Sequence, residues 1–257
     1  MTSSAIAADP LQSVSAWDET ESMRSLTLPP ADAYLMPGVL WGRIESAMTP
    51  AFWAAQCWYA ESAGMFAPTR LAATIEREVA ACLLGGYGMP AEVGWAAYVR
   101  LLELGLLDGT PTESELSVVL AQPLSVNGRE VRYRFVSQKA RYLAGTLQSL
   151  TEEPLEDFSS GRALRDRLVR CPGIGPKTAS WVARNWLGAD DVAILDVHVV
   201  RACIRVGVMP QGADPARNYR LLEDRFLAFA HALDVRPSIL DGIIWRTMKD
   251  LGALRAA

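Results

Sequence analysis

Lysine is scarce in this chain: Lys139, Lys177 and Lys249 stand beside 22 arginines. Lys177 directly follows the run Gly173-Ile174-Gly175-Pro176, and Asp196 comes 19 residues later within AILDVHV. A lysine that acts as a nucleophile must present a neutral amine, a task arginine cannot take over. Free lysine titrates near pKa 10.4, so bringing it to about 8 asks for roughly 3 kcal/mol of differential destabilisation of the ammonium. Burial and a helix N-terminus both act in that direction, and Pro176 is a typical first-turn residue. A carboxylate such as Asp196 stabilises positive charge that develops on carbon as a bond breaks, and can orient or deprotonate the amine. The two residues therefore suit covalent amine catalysis with electrostatic support. Each also has a plainer use, as a surface lysine near a helix start and as the N-cap of a helix ending near Val206; Asp196 can cap and catalyse at once.

The turn before Lys177 has chemistry of its own. Two glycines flanking Ile174 let the backbone pass close to a ligand, and the N–H groups opening the next helix point outward beside the positive end of its dipole. Such a turn cradles a phosphate through backbone donors and reads no base sequence. Arg162, Arg165, Arg167 and Arg170 precede it and Arg184 follows. A second basic segment, Arg129, Arg132, Arg134, Lys139 and Arg141, is interleaved with Tyr133, Phe135 and Tyr142. Together these residues suit a phosphate track, while arginines on a helix also serve as a solvated face paired with acids.

The elements that must hold these residues read as helices. Residues 1–40 are rich in Ser, Ala, Pro and Asp without a sustained period, and a loosely ordered arm is expected there. Thr49-Pro50 then opens a helical stretch, and residues 69–84 keep a 3.6-residue rhythm through Leu71, Ile75, Val79, Cys82 and Leu83. A Gly-rich break, GGYGMP, follows, then a helix at about 91–106, and a polar turn or hairpin around Asn127-Gly128. Further helices are expected at 137–150, 161–170, 176–187, 196–206, 215–233 and 237–251. An all-α fold class is expected, with residues 41–257 long enough for one large domain or for two helical lobes sharing a cleft.

Composition narrows the partners. The net charge of −4 speaks against nucleic acid, but residues 1–128 hold 5 basic against 14 acidic side chains, and residues 129–257 hold 20 against 15. Only the second part, net +5, is suited to face phosphates. Cys57, Cys82, Cys171 and Cys203 are too far apart for a CxxC redox pair or a close zinc knuckle, and read as reduced core residues. No apolar run approaches the roughly 18 residues that span a bilayer, and no charged-then-apolar leader opens the sequence. A soluble, cytoplasmic protein with no membrane partner and no metal site is expected.

In residues 161–187, Leu168 and Cys171 precede the turn, Ile174 lies between its glycines, and Ala179 and Val182 follow at helical spacing. This layout, hxxhxGhGxxxAxxh, resembles the helix-hairpin-helix signature of the DNA glycosylase superfamily that contains endonuclease III and the 8-oxoguanine DNA glycosylases. Lys177 stands where strand-cleaving members carry their lysine, and Asp196 and His198 stand where the family motif has an aspartate and a histidine. CLLGGYGMPAEVGWAAYVRL (82–101) and RYRFVSQKARYL (132–143) also resemble family segments, so the similarity covers roughly residues 70–250, nearest to the 8-oxoguanine branch.

The resemblance implies a two-lobed glycosylase/AP lyase fold. Lys177 would attack the sugar C1′ of a flipped nucleotide in double-stranded DNA and form an imine, with Asp196 assisting. Gly173, Ile174, Gly175 and Arg170 would hold the phosphate, with a monovalent cation at the hairpin as the one added ion. Tyr87 would be the inserted wedge, or else a turn tyrosine packed on its own helix. Trp181 and Trp245 would wall the base pocket, or else belong to the core. His198 would face phosphate or lesion, or else be a hydrogen-bonded structural histidine. No cysteine follows Cys203, which implies a branch without the iron–sulfur cluster of endonuclease III relatives. Two other readings stay open: a relative acting on another modified guanine analogue within a defence system, and a non-catalytic helix-hairpin-helix module that only grips DNA or a protein.

Overall fold

The computed structural model describes residues 10–18, 20–65, 70–86, 88–155 and 158–254, the side chains of 251–254 excepted. Four short strands come first: β1 (Gln12–Trp17), β2 (Met23–Leu28), β3 (Tyr34–Met36) and β4 (Val39–Leu40). Helices α1 (Pro50–Ser62), α2 (Ile75–Leu84), α3 (Ala91–Glu103) and α4 (Glu113–Leu120) follow, then β5 (Leu124–Val126) and β6 (Arg129–Val131). The rest is helical: α5 (Val136–Glu152), α6 (Gly161–Leu168), α7 (Pro176–Leu187), α8 (Val197–Arg205), α9 (Pro215–Ala232) and α10 (Pro237–Leu254). Ten helices among the described residues meet the all-α expectation, with three two-stranded antiparallel hairpins added to it. The chain divides into two compact units, Pro68–Ala189 and the discontinuous Met1–Ala67 with Asp190–Ala257. None of its described helices is long and apolar enough to cross a membrane.

The unit Pro68–Ala189 is built on α2, α5 and α7, with α6 packed on α7 and α4 on α5. Its core is aliphatic, with Val79, Leu83, Leu84, Leu143, Leu164, Leu168 and Val182 buried on the inner faces. The helix expected from residue 69 starts only at Ile75. The reason lies in Glu78, a fully buried carboxylate that accepts from the backbone N–H groups of Leu71 (2.6 Å) and Ala72 (2.9 Å). Its other oxygen accepts from Asn185 Nδ2 at 2.8 Å, which ties α2 to α7. A buried carboxylate needs such donors, and here it holds residues 71 and 72 outside the helix that Thr74 caps. The sequence reading passes over α4, although Thr112 and Glu115 form a reciprocal capping box at its start.

The other unit gathers α1, α8, α9 and α10 around Trp53, Phe226, Phe229, Leu240 and Ile244. From Gln12 onward this unit departs from the loosely ordered arm expected over residues 1–40, of which residues 1–9 and 19 lie outside the described residues. β1 and β2 pair antiparallel from Gln12–Leu28 to Trp17–Met23, and Leu28, Val39 and Trp41 are buried in the same core. Gln12 locks the segment: its Nε2 donates to the carbonyls of Pro29 and Gly42, and its Oε1 accepts from the Ile44 N–H, all at 2.9 Å. At the β1–β2 turn, Asp18 accepts from the N–H groups of Thr20 and Ser22 and from Arg24 Nε. Hydrogen bonds from Thr20 first, and from Ser22 and Arg24, hold its carboxyl well below the usual range. The strands escape a period-based reading because β1 alternates half-buried with exposed residues and carries mostly Ser, Ala and Gln.

All four cysteines are buried free thiols. Burial pushes the Cys203 thiol up to about 12, which keeps it protonated and unreactive.

Candidate active site

Helix α6 ends at Leu168, and the chain reverses through residues 169–175 before α7 begins at Pro176. Gly173 is required twice over at this reversal. Its φ is +75°, and a Cβ there would lie 2.2 Å from Cγ of Tyr142 on α5. The next turn of α5 packs equally close, with Thr146 Oγ1 donating to the Pro172 carbonyl at 2.8 Å. Ile174 is 4% exposed and anchors the turn in the core, so only its backbone is available to a ligand. Gly175 caps α7 without any side-chain hydrogen bond, and a Cβ there would meet nothing within 4 Å. Among the described residues no N-cap side chain covers the start of α7, and the space beside Gly175 is open, an arrangement that suits an anion.

The arginines before the turn divide into two groups. Arg165 and Arg167 are buried; Arg165 pairs with Asp166 at 3.0 Å, and Arg167 donates to the Glu153 carbonyl at 2.6 Å. They hold the hairpin together. Arg170 is exposed and, among the described residues, makes a long, solvated pair with Glu153 (3.4 Å), so its charge remains usable at the turn. In the second basic segment, Arg134 donates to the Gly88 carbonyl and Lys139 to the carbonyls of Leu83 and Gly85. Lys139 thus closes the end of α2 and Arg134 holds the loop beyond it, uses that the phosphate-track reading did not anticipate.

Lys177 is the second residue of α7 and half-buried. Trp181, one turn on, lays its ring edge 3.4 Å from where a Gly85 Cβ would be. An open cavity of about 490 Å³ lined by Met89, Val93, Val131, Arg132 and Arg134 belongs to the same unit but does not include Lys177. Tyr87 lies outside the described residues.

Asp196 belongs to the other unit, where it is the N-cap of α8. One oxygen, Oδ1, accepts from both the His198 and the Val199 N–H groups at 2.9 Å, so Oδ2 takes no part in the cap. The extended residues before it are held by side chains from distant helices. The Ala193 N–H donates to Glu223 Oε1 (3.0 Å), and the Ile194 N–H to Asp241 Oδ2 (3.4 Å). Tyr219 Oη accepts from the Leu195 N–H and donates to the Ala193 carbonyl at 2.6 Å. Glu223, Asp241 and Tyr219 are all buried, and sequence reading missed them as supports of Asp196. His198 is half-buried on α8, and Trp245 on α10 is 41% exposed beneath the Lys249 ammonium. The structure thus collects Gly173, Ile174, Gly175, Arg170, Lys177 and Trp181 on one hairpin, and places Asp196, His198 and Trp245 in the second unit.

A helical hairpin of this build defines the class of helix-hairpin-helix DNA glycosylase folds. Endonuclease III, solved as a trapped covalent DNA intermediate, shares the fold with a TM-score of 0.55 at 16% identity over 75% of this chain and 80% of its own. The family model described as 8-oxoguanine DNA glycosylase matches residues 68–235, and the chain belongs to that family. The 8-oxoguanine DNA glycosylase of Thermotoga maritima superposes with a TM-score of 0.51 at 28% identity, covering 66% of this chain and 77% of that one. The enzyme of Methanocaldococcus jannaschii, solved with a 15mer DNA containing 8-oxoguanine, gives 0.51 at 27% identity over 66% and 78% of the two chains. Among curated relatives, the 8-oxoguanine DNA glycosylase/AP lyase of Saccharolobus islandicus is 33% identical over 128 residues, 46% of this chain. The chain spans 60% of the length of that relative.

Proposed function

We propose that this chain is an 8-oxoguanine DNA glycosylase with AP lyase activity that works on a DNA duplex carrying the oxidised base. The observation that carries the reading is the position of Lys177. It opens α7 directly after an uncapped glycine turn, on a unit that lies wholly inside the family match.

The amide-rich turn and Arg170 take a backbone phosphate, which fixes the strand without reading its sequence. The neutral Lys177 Nζ attacks C1′ of the extruded nucleotide. The glycosidic C1′–N bond breaks, the base leaves with the bonding pair and gains a proton, and a C1′–Nζ bond replaces it. Loss of the amine protons and opening of the sugar ring give an imine. Removal of a C2′ proton then expels the 3′ phosphate by elimination, and water returns the free lysine. Asp196 Oδ2, outside the helix cap, supplies negative charge while C1′ carries positive charge. Trp181 is the candidate wall for the extruded base.

The reading is tested by measuring base release and strand scission on a labelled duplex containing 8-oxoguanine. Lys177→Ala is expected to abolish both, and Asp196→Asn to slow them by about a hundredfold or more. Base release that survives Lys177→Ala unchanged would remove the covalent mechanism.

A further inference from the structure

Three consecutive carbonyls at the end of α2 point out of its last turn, and the segment around α5 supplies a donor to each. Tyr133 Oη donates to Leu84 O at 2.6 Å. Lys139 Nζ donates to Leu83 O at 2.5 Å and to Gly85 O at 3.1 Å. Lys139 therefore caps α2 from 54 to 56 residues away, at the end of a helix where the dipole favours positive charge.

The same place is touched from α7. Gly85 has no side chain, and the Trp181 ring edge fills the space 3.4 Å from its missing Cβ. Residues four apart share a helix face and lean toward its N-terminus, so Trp181 inclines toward Lys177. The Lys139 ammonium is thereby clamped beside the face of α7 that carries Lys177. Burial first, and the charge on Lys177 second, lower the Lys139 ammonium below the ordinary lysine range, as expected of two like charges within reach of each other.

Among the described residues, several charged groups on the packed elements have contacts of their own. On α2, Glu78 binds Asn185 and the Leu71 and Ala72 amides. Ahead of α5, Arg134 donates to Gly88 O, and on α5 the Arg141 guanidinium lies over Tyr142. On α7, Arg184 acts on Cys82, and on α6, Arg165 and Arg167 pair with Asp166 and Glu153.

We propose that Lys139 is a positioning residue for Lys177: the ammonium it holds on the Leu83 and Gly85 carbonyls disfavours a second ammonium beside it and leaves Lys177 as the neutral amine that attacks. The proposal rests on the reading of Lys177 as the nucleophile. Two carbonyl acceptors at the negative end of α2 favour the Lys139 ammonium against the burial that lowers it. Lys177, at the positive end of α7, is the member of the pair that gives up its proton.

The scarcity of lysine makes the test direct. Reductive methylation with 13C-formaldehyde gives NMR signals from three lysines besides the N-terminus, and Lys177→Ala identifies one of them. The Lys177 signal is expected to titrate below that of Lys249 and to move up in Lys139→Gln. Borohydride trapping on an 8-oxoguanine duplex is expected to slow about tenfold at neutral pH in Lys139→Gln and to recover as pH rises. Lys139→Arg, which keeps the charge, is expected to follow the wild-type profile. A Lys177 signal that titrates together with Lys249 in the wild-type protein would overturn the proposal, whether or not Lys139→Gln folds. So would a folded Lys139→Gln with a wild-type pH profile. No trapping by the wild-type protein at any pH would instead remove the nucleophile reading, and this proposal with it.

Discussion

The hairpin that carries Lys177 and the extended segment that delivers Asp196 are held by opposite means. The turn of the hairpin is fixed by shape, with a left-handed glycine pressed on Tyr142 and a buried isoleucine. Residues 193–195 are fixed by polar groups, with three consecutive amides bonded to Glu223, Asp241 and Tyr219. Shape fails steeply when a Cβ is added, whereas a polar network fails by leaving a buried donor unpaired. The two halves of the candidate chemistry are therefore expected to respond differently to substitution.

The largest effect is expected at Gly173. Gly173→Ala introduces a Cβ 2.2 Å from the Tyr142 ring at a φ of +75°. It should cost about 3 kcal/mol or more in urea denaturation and displace the start of α7. Tyr219→Phe comes next, since it strips a buried hydroxyl from the Ala193 carbonyl and the Leu195 amide. A loss of about 2 kcal/mol is expected, with slower base release and undiminished affinity for undamaged duplex. Equal weakening of duplex binding in Tyr219→Phe would break the distinction between the two regions.

Thr112→Ala, outside both regions, should cost about 1 kcal/mol and leave base release unchanged. Its capping partner adds a pH signature. The Thr112 N–H, and then its hydroxyl, hold the Glu115 carboxyl below its ordinary value. A depressed carboxylate contributes stability above its unfolded pKa and loses it as pH falls through the folded one. The wild-type chain should therefore lose a small increment on acidification that is reduced in Thr112→Ala, which keeps the backbone donor and lacks the hydroxyl, read by thermal melts across the acid range.

This contrast also explains what could be read from the sequence. Lys177, the glycines and Ile174 lie within a few residues of one another, so type and spacing exposed the hairpin without knowledge of the fold. The bounds of α7 follow from Pro176 and from Gly188 in the left-handed conformation at its end. Asp196 was legible as a cap and through its family motif. Its supports were not, because Tyr219, Glu223 and Asp241 lie 24 to 47 residues from the amides they hold. Glu78 stayed hidden likewise, as a buried acid in a helix gives no periodic signal while it shortens α2. The N-terminal strands were missed because Ser and Ala pack there through the partner strand and Gln12, with too few large residues to mark a face. Lys139 read as one cation among many until its acceptors placed it on the end of α2.

The central claim is that Lys177 becomes covalently joined to DNA. Its most direct test is borohydride trapping on an 8-oxoguanine duplex, followed by peptide mapping of the cross-linked protein by mass spectrometry. The account predicts a single nucleotide adduct on Lys177, retained at a reduced rate in Asp196→Asn. An adduct on Lys139, Lys249 or the N-terminal amine, or none at all, would contradict it.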